Sequence, residues 1–201
     1  MLFRSFGTAL IELGRWLTYE AVRDWLPQRQ VEVQTPLATS EGQVIDGSIP
    51  VLALMLMPAG LGLWEGARTV LPTSAIAPIA ASGLEAGSDP QQPVDWLVTG
   101  LPEQIAERVG VLLLLPEVTS AERVMAVLER LAQRGVTGQR LRLITLVAAA
   151  PALKTLGEVQ PDLTIYCACI DGDLDGQGRL LPGFGDADLR FTGIDGVAAL
   201  G

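Results

Sequence analysis

At 201 residues the chain is long enough for one domain with a substantial core. Apolar residues make up 49% of it and the net charge is −9, a balance that argues against a nucleic-acid surface. It contains no histidine, which excludes His-based acid–base catalysis, Ser-His triads and His-ligated metal sites.

Leu2 to Leu26 carries helical periodicity, with Leu2, Phe6, Leu10, Leu13 and Leu17 recurring at three- and four-residue steps. Gln28 to Gly47 is polar and alternating, with Val31, Val33 and Val44 as weak strand signals. Val51 to Met57 is a continuous apolar run, the pattern of a central parallel strand, and Gly60 to Val70 reads as the helix after it. The most apolar window, Ile49 to Trp64, is broken by Pro58, Gly60 and Gly62 and falls short of the ~20 residues of a membrane span. With no secretory signal, a cytoplasmic location is expected, with neither membrane nor nucleic acid as partner. Ala75 to Ala80 reads as a short strand, and Ser82 to Pro93, rich in Gly, Ser, Asp and Pro, as a mobile loop.

Gly110 to Leu115 is a second buried strand, and Ser120 to Arg134 an amphipathic helix ended by Gly135. Leu141 to Ala148 is a third strand, Ala152 to Val159 a short helix and Leu163 to Ile170 a fourth strand. Strands alternating with helices at this spacing predict an α/β domain around a parallel sheet. Cys167 and Cys169 fall on one face of the fourth strand and read as buried small apolar residues in a reducing compartment. Asp171 to Gly176 opens like a calcium loop, but its ninth and twelfth positions are Arg179 and Pro182, so a solvated turn is expected.

The run from Tyr166 to Gly193 carries the most information. Pro182 stiffens the entry to a loop in which Gly183 and Gly185 let backbone approach a ligand closely. This run resembles the uracil-binding segment of uracil phosphoribosyltransferases, which reads Tyr-x-x-x-Ile-Asp and then Gly-Tyr-Ile-x-Pro-Gly-Leu-Gly-Asp-Ala-Gly-Asp. Leu17 to Ala21, Leu54 to Gly62, Leu146 to Ala149, Pro161-Asp162 and Ile170-Asp171 match further motifs of that family in order. The resemblance implies a type I phosphoribosyltransferase fold spanning 1–201 as a single domain. A central, mainly parallel sheet would be flanked by helices, with a small C-terminal hood over approximately 166–193. It implies the reaction of uracil with phosphoribosyl pyrophosphate to give UMP and diphosphate, with Mg²⁺ as cofactor if the protein is active. It also implies a homodimer or higher oligomer. Against the family pattern the sequence begins short of an N-terminal arm that helps dimerisation.

By the same resemblance Leu180, Gly185, Asp186 and Ala187 fall on uracil-binding positions, and Asp186 on the residue that helps hold the donor's ribose and Mg²⁺. Pro58, Ala59, Gly60, Ser82, Thr119, Ser120 and Arg123 fall on positions that hold phosphoribosyl pyrophosphate. The departures concentrate on this second group. The family's Asp-Pro-Met-Leu-Ala-Thr-Gly-Gly-Ser is here Leu115 to Arg123, with Ala121 and Glu122 for the paired glycines. The pyrophosphate-loop Arg is Pro58, and a Tyr-Arg pair of the mobile loop is Ala81 and Ser82. The family often holds a cis peptide at this turn, which Pro58 would keep. Thr119 to Glu122 has a capping-box pattern, so Glu122 is expected where a phosphate would sit and Arg123 is the candidate to replace lost contacts. Losing two cationic contacts of ~1.5–3 kcal/mol each weakens donor binding by orders of magnitude. Two readings follow: a homologue with little activity acting in binding, regulation or assembly with uracil, UMP or an unidentified protein partner, or an active enzyme with a rebuilt donor loop.

Overall fold

The computed structural model describes residues 3–84 and 93–194; of the loop expected over Ser82–Pro93, residues 85–92 lie outside the described residues. The order is α1 (Phe3–Trp25), β1 (Gln28–Gln34), β2 (Thr39–Ile45), β3 (Val51–Leu56), α2 (Gly60–Ala67), β4 (Ala75–Ser82), β5 (Asp95–Thr99) and β6 (Gly110–Leu114). There follow β7 (Glu117–Val118), α3 (Ala121–Ala132), β8 (Leu141–Ala149), α4 (Ala150–Val159), β9 (Thr164–Asp171), β10 (Asp173–Leu174), β11 (Leu180–Leu181) and α5 (Ala187–Thr192).

The continuous apolar runs become the middle of one sheet because both faces there are covered. β3 pairs in parallel with β4 and β6, β6 with β8, and β8 with β9. β5 closes the other side antiparallel to β4. Alternation along the strands divides the core into two layers. Leu52, Leu54, Leu113 and Leu143 face the layer of α3 and α4, which contribute Val124, Leu131 and Leu156. Ala53, Met55, Leu112 and Ile144 face the layer of α1 and α2, with Leu10 and Leu63. Helices α1 and α2 pack backbone to backbone: a Cβ on Gly66 would collide with the carbonyl oxygen of Ile11, and one on Gly14 with that of Leu63.

The weak strand signals after α1 are borne out as a regular antiparallel hairpin, β1–β2, outside the main sheet. Two expectations are revised. The segment expected as a hood over 166–193 divides in two. Its first residues belong to β9 and pair along β8, so only the β10–β11 ribbon and α5 stand beyond the sheet. As an edge strand β9 is covered less well than the central strands, so Cys167 is half-buried and Cys169 is exposed rather than both being core residues. The Asp/Gly-rich turn is organised by Asp175, whose carboxylate accepts from the N–H groups of Gln177 and Arg179 and pairs with the Arg179 guanidinium. Those backbone hydrogen bonds, chiefly the one from Arg179, hold the Asp175 carboxyl below its usual range.

Candidate ligand-binding site

The parallel strands β3, β4 and β6 all end on one side of the sheet, and a cavity of about 250 Å³ opens there. This is the crevice at carboxyl strand ends where open α/β sheets bind ligands. β3 delivers the turn Met57–Pro58, whose peptide bond is cis, as expected. β6 delivers Leu115 and Pro116, after which the chain resumes as β7 alongside the end of β8. Pro116 lacks an N–H, so the strand breaks there and Glu117 is turned to the cavity wall.

The structure brings Pro58, Thr119, Ser120, Arg123, Asp186 and Ala187 to this one cavity. Ala59 and Gly60 do not line it and follow Pro58 as the N-cap and first residue of α2. Ser82 stands apart as the exposed last residue of β4, paired in register with Asp95, while Ala80 and Ala81 line the cavity in its place. Leu180, a β11 residue, is buried in the core, and Gly185 (φ +80°) lies in the turn before α5; neither lines the cavity.

The hood is tied to the sheet by polar contacts. The N–H of Gly183, a residue with φ +55°, donates to buried Asp171 Oδ2 at 2.8 Å. Arg190 donates to the carbonyl of Phe184 and lies 4.4 Å over the ring of Phe6, which itself sits 5.4 Å from the Phe184 ring. The Asp186 carboxylate caps α5 by accepting from the Leu189 N–H at 2.8 Å.

At the opposite wall the capping box is displaced by one residue. Ser120, in extended conformation (φ −140°, ψ 146°), is the N-cap of α3, and its hydroxyl accepts from the Arg123 N–H at 3.4 Å. Glu122 is therefore the second helical residue, not the third. It is exposed and borders a separate polar groove beside Trp96 and Arg130, so it does not stand in the cavity as expected. Arg123 points inward: it is only 9% exposed, and its Nη1 donates to Thr119 Oγ1 at 3.1 Å.

Two acidic side chains of the cavity were not among the sequence candidates. Glu117 is half-buried, and its carboxyl is pushed up to about 7, chiefly by burial, then by the charges of Asp186 and Asp188, with Arg123 opposing. Asp188 lines the same cavity and accepts from the N–H of Ala59 at 2.9 Å. Leu56, Leu84, Leu97 and Val127 complete an apolar floor.

A parallel sheet with helices on both faces and a hooded crevice at the strand ends defines the type I phosphoribosyltransferase fold. A hypoxanthine phosphoribosyltransferase from Staphylococcus aureus shares it at a TM-score of 0.54, with 12% identity over 84% of this chain and 76% of that one. The AQ2163 protein of Aquifex aeolicus shares it at a TM-score of 0.77, with 22% identity over 95% of this chain and 87% of that one. In sequence, the family model "Uracil phosphoribosyltransferase" matches residues 3–192. The uracil phosphoribosyltransferase of Synechococcus elongatus is 41% identical over 94% of this chain and 85% of its own length. That of Synechocystis is 42% identical over the same shares. The chain belongs to the uracil phosphoribosyltransferase family.

Proposed function

We propose that this chain keeps the base-binding half of its family's site, has lost most of the transferase activity, and acts as a binding, regulatory or assembly protein. The family reaction joins uracil to phosphoribosyl pyrophosphate and releases diphosphate, a step of pyrimidine salvage. Such catalysis depends on positioning and on neutralising charge at the leaving group. The observation that carries the reading is the charge of the cavity: among the described residues Glu117, Asp186 and Asp188 line it, against Arg123 as the one cation. A multiply anionic donor meets net repulsion there.

The base half is supported by the hood. Of the residues assigned to uracil or the base of UMP, Asp186 and Ala187 line the cavity, while Leu180 is buried and Gly185 lies in the turn before α5, on a loop fixed by Asp171 and Arg190. Pro58, Thr119, Ser120 and Arg123 at the cavity, with Ala59 and Gly60 at the start of α2, are what remains of the donor half, and Ser82 stands apart from them. Among the described residues no group of three or more acidic or cysteine side chains is arranged to hold a metal ion. By the resemblance Asp186 would be the carboxylate turned to a donor-bound Mg²⁺, whose remaining ligands would be the donor's phosphate oxygens and water.

Calorimetric titration tests this. Uracil or UMP is expected to bind, and phosphoribosyl pyrophosphate with Mg²⁺ to bind far more weakly. Heat from neither base nor nucleotide would overturn the retained base site. A second reading, an active enzyme with a rebuilt donor loop, is favoured by one observation: Arg123 is held in the cavity wall by Thr119, where a guanidinium is suited to a phosphate. Donor binding as tight as that of the base would support it.

We further read the protein as a cytoplasmic homodimer or larger oligomer. The free thiols Cys167 and Cys169 suit a reducing compartment, and Trp16, Leu37 and Val33 leave exposed apolar surface for a second copy. Among the described residues no helix is long and apolar enough to cross a membrane. A monomer in sedimentation analysis would contradict the assembly.

A further inference from the structure

Helix α2 begins without help from its own N-cap. Ala59 has no side chain that can cap, and the N–H groups of Leu61 and Gly62 turn back onto the carbonyls of Pro58 and Ala59 at 3.1 and 3.0 Å. The Ala59 N–H is met by Asp188 Oδ1 at 2.9 Å, from a residue 129 positions away in the first turn of α5. A carboxylate at this end of α2 is favoured by the helix dipole and by the charge-assisted hydrogen bond. Asp188, Pro58 and Arg123 all line the one cavity, so this carboxylate borders the space a phosphate-bearing ligand would enter. It is also tethered, which gives it an effective concentration that a free anion must outcompete.

We infer that Asp188 is a specificity-determining residue: by holding the Ala59 amide with its own carboxylate, it keeps diphosphate groups out of the cavity. This rests on the reading of a weakened donor half and assigns the exclusion to one side chain. Asp188→Gly leaves the Ala59 N–H open, with Arg123 as the charge facing an incoming diphosphate from α3. Asp188→Asn keeps an acceptor for that N–H and removes the charge. Glu122→Gln removes a charge of the same sign outside the cavity.

The test is calorimetric titration of the four full-length proteins with inorganic pyrophosphate, with and without Mg²⁺, after circular dichroism establishes equal folding. Asp188→Gly is expected to bind pyrophosphate at least tenfold tighter than the parent, Asp188→Asn by a smaller factor, and Glu122→Gln with the parent's affinity. If Asp188→Gly fails to fold, a gain in Asp188→Asn over Glu122→Gln carries the inference. No gain in either folded Asp188 variant would overturn it, as would an equal gain in Glu122→Gln. Pyrophosphate binding is read without turnover, so vigorous UMP synthesis by the parent chain would defeat the reading of lost activity and leave this titration to decide the role of Asp188.

Discussion

The carboxylate of Asp171, at the end of β9, receives the N–H of Gly183 at 2.8 Å and so anchors the hood loop to the sheet. Asp171 is only 5% exposed, and Gly183 sits at φ +55°, where a side chain would also collide with the Leu180 carbonyl. The pair connects a buried strand end to the loop assigned to the base. Asp171→Ala is expected to cost about 1–3 kcal/mol of stability in denaturant unfolding. It is also expected to weaken uracil binding, because the loop is no longer pre-organised. Unchanged uracil affinity would mean that this anchor does not shape the base site.

Glu117 predicts how stability changes with pH. Its carboxyl releases its proton near 4.5 in the unfolded chain and near 7 in the native one. Between those values the native state binds more protons, so stability falls as pH rises. The contribution is full below pH 4.5 and is lost as pH passes about 7; its size is roughly 3 kcal/mol at most. Glu117→Gln is expected to remove this slope and to be more stable than the parent above pH 7. Parallel stability curves for the two proteins across pH 5–8 would contradict the assignment.

Strands covered on both faces were legible in the sequence. β3 and β6 read as continuous apolar runs because burial on two sides leaves no alternation, and β8 read as a strand despite Arg142 and Thr145 within it. β5 is not legible, since an edge strand of five residues offers only the three-residue apolar run Trp96 to Val98, at half-exposed and exposed positions. The exposure of Cys169 followed from the edge position of β9, which is a property of sheet order and not of local pattern. At the site, the hydroxyls of Thr119 and Ser120 and the cation of Arg123 were found through their resemblance to a donor loop. Glu117 was passed over because its direction depends on the break at Pro116, and Glu122 was misplaced because the helix cap fell one residue later. Asp188 read only as a missing glycine; its contact with Ala59 spans 129 residues and has no local signature.

Two glycines in helices are expected to respond in opposite ways to alanine. In α2, a Cβ on Gly66 meets the backbone of Ile11 and Arg15, so Gly66→Ala is expected to cost ~1–3 kcal/mol as α1 and α2 are forced apart. In α4, Gly157 has open space around it and is exposed, so Gly157→Ala is expected to stabilise by about 0.5–1 kcal/mol. Thermal unfolding of the two variants checks both signs. A neutral Gly66→Ala would mean that the two helices are not in backbone contact.

Arg140 fastens the lower loops. Its guanidinium donates to the carbonyls of Gly135 and Ala106 at 2.6 Å each and to that of Val109 at 3.1 Å. Arg140→Ala is expected to lower stability by about 1–3 kcal/mol and to leave ligand titrations at the cavity unchanged, since none of these groups lines it. A loss of uracil affinity equal to that of Asp171→Ala would show that the loops and the hood are coupled.

The most direct test of the account is the initial rate of uracil-dependent UMP formation with saturating phosphoribosyl pyrophosphate and Mg²⁺. On the proposed reading, in which the base half is kept and the acidic side chains Glu117, Asp186 and Asp188 oppose the donor, the predicted result is a rate close to background. Turnover in the ordinary enzyme range of about 1–10³ per second would contradict it.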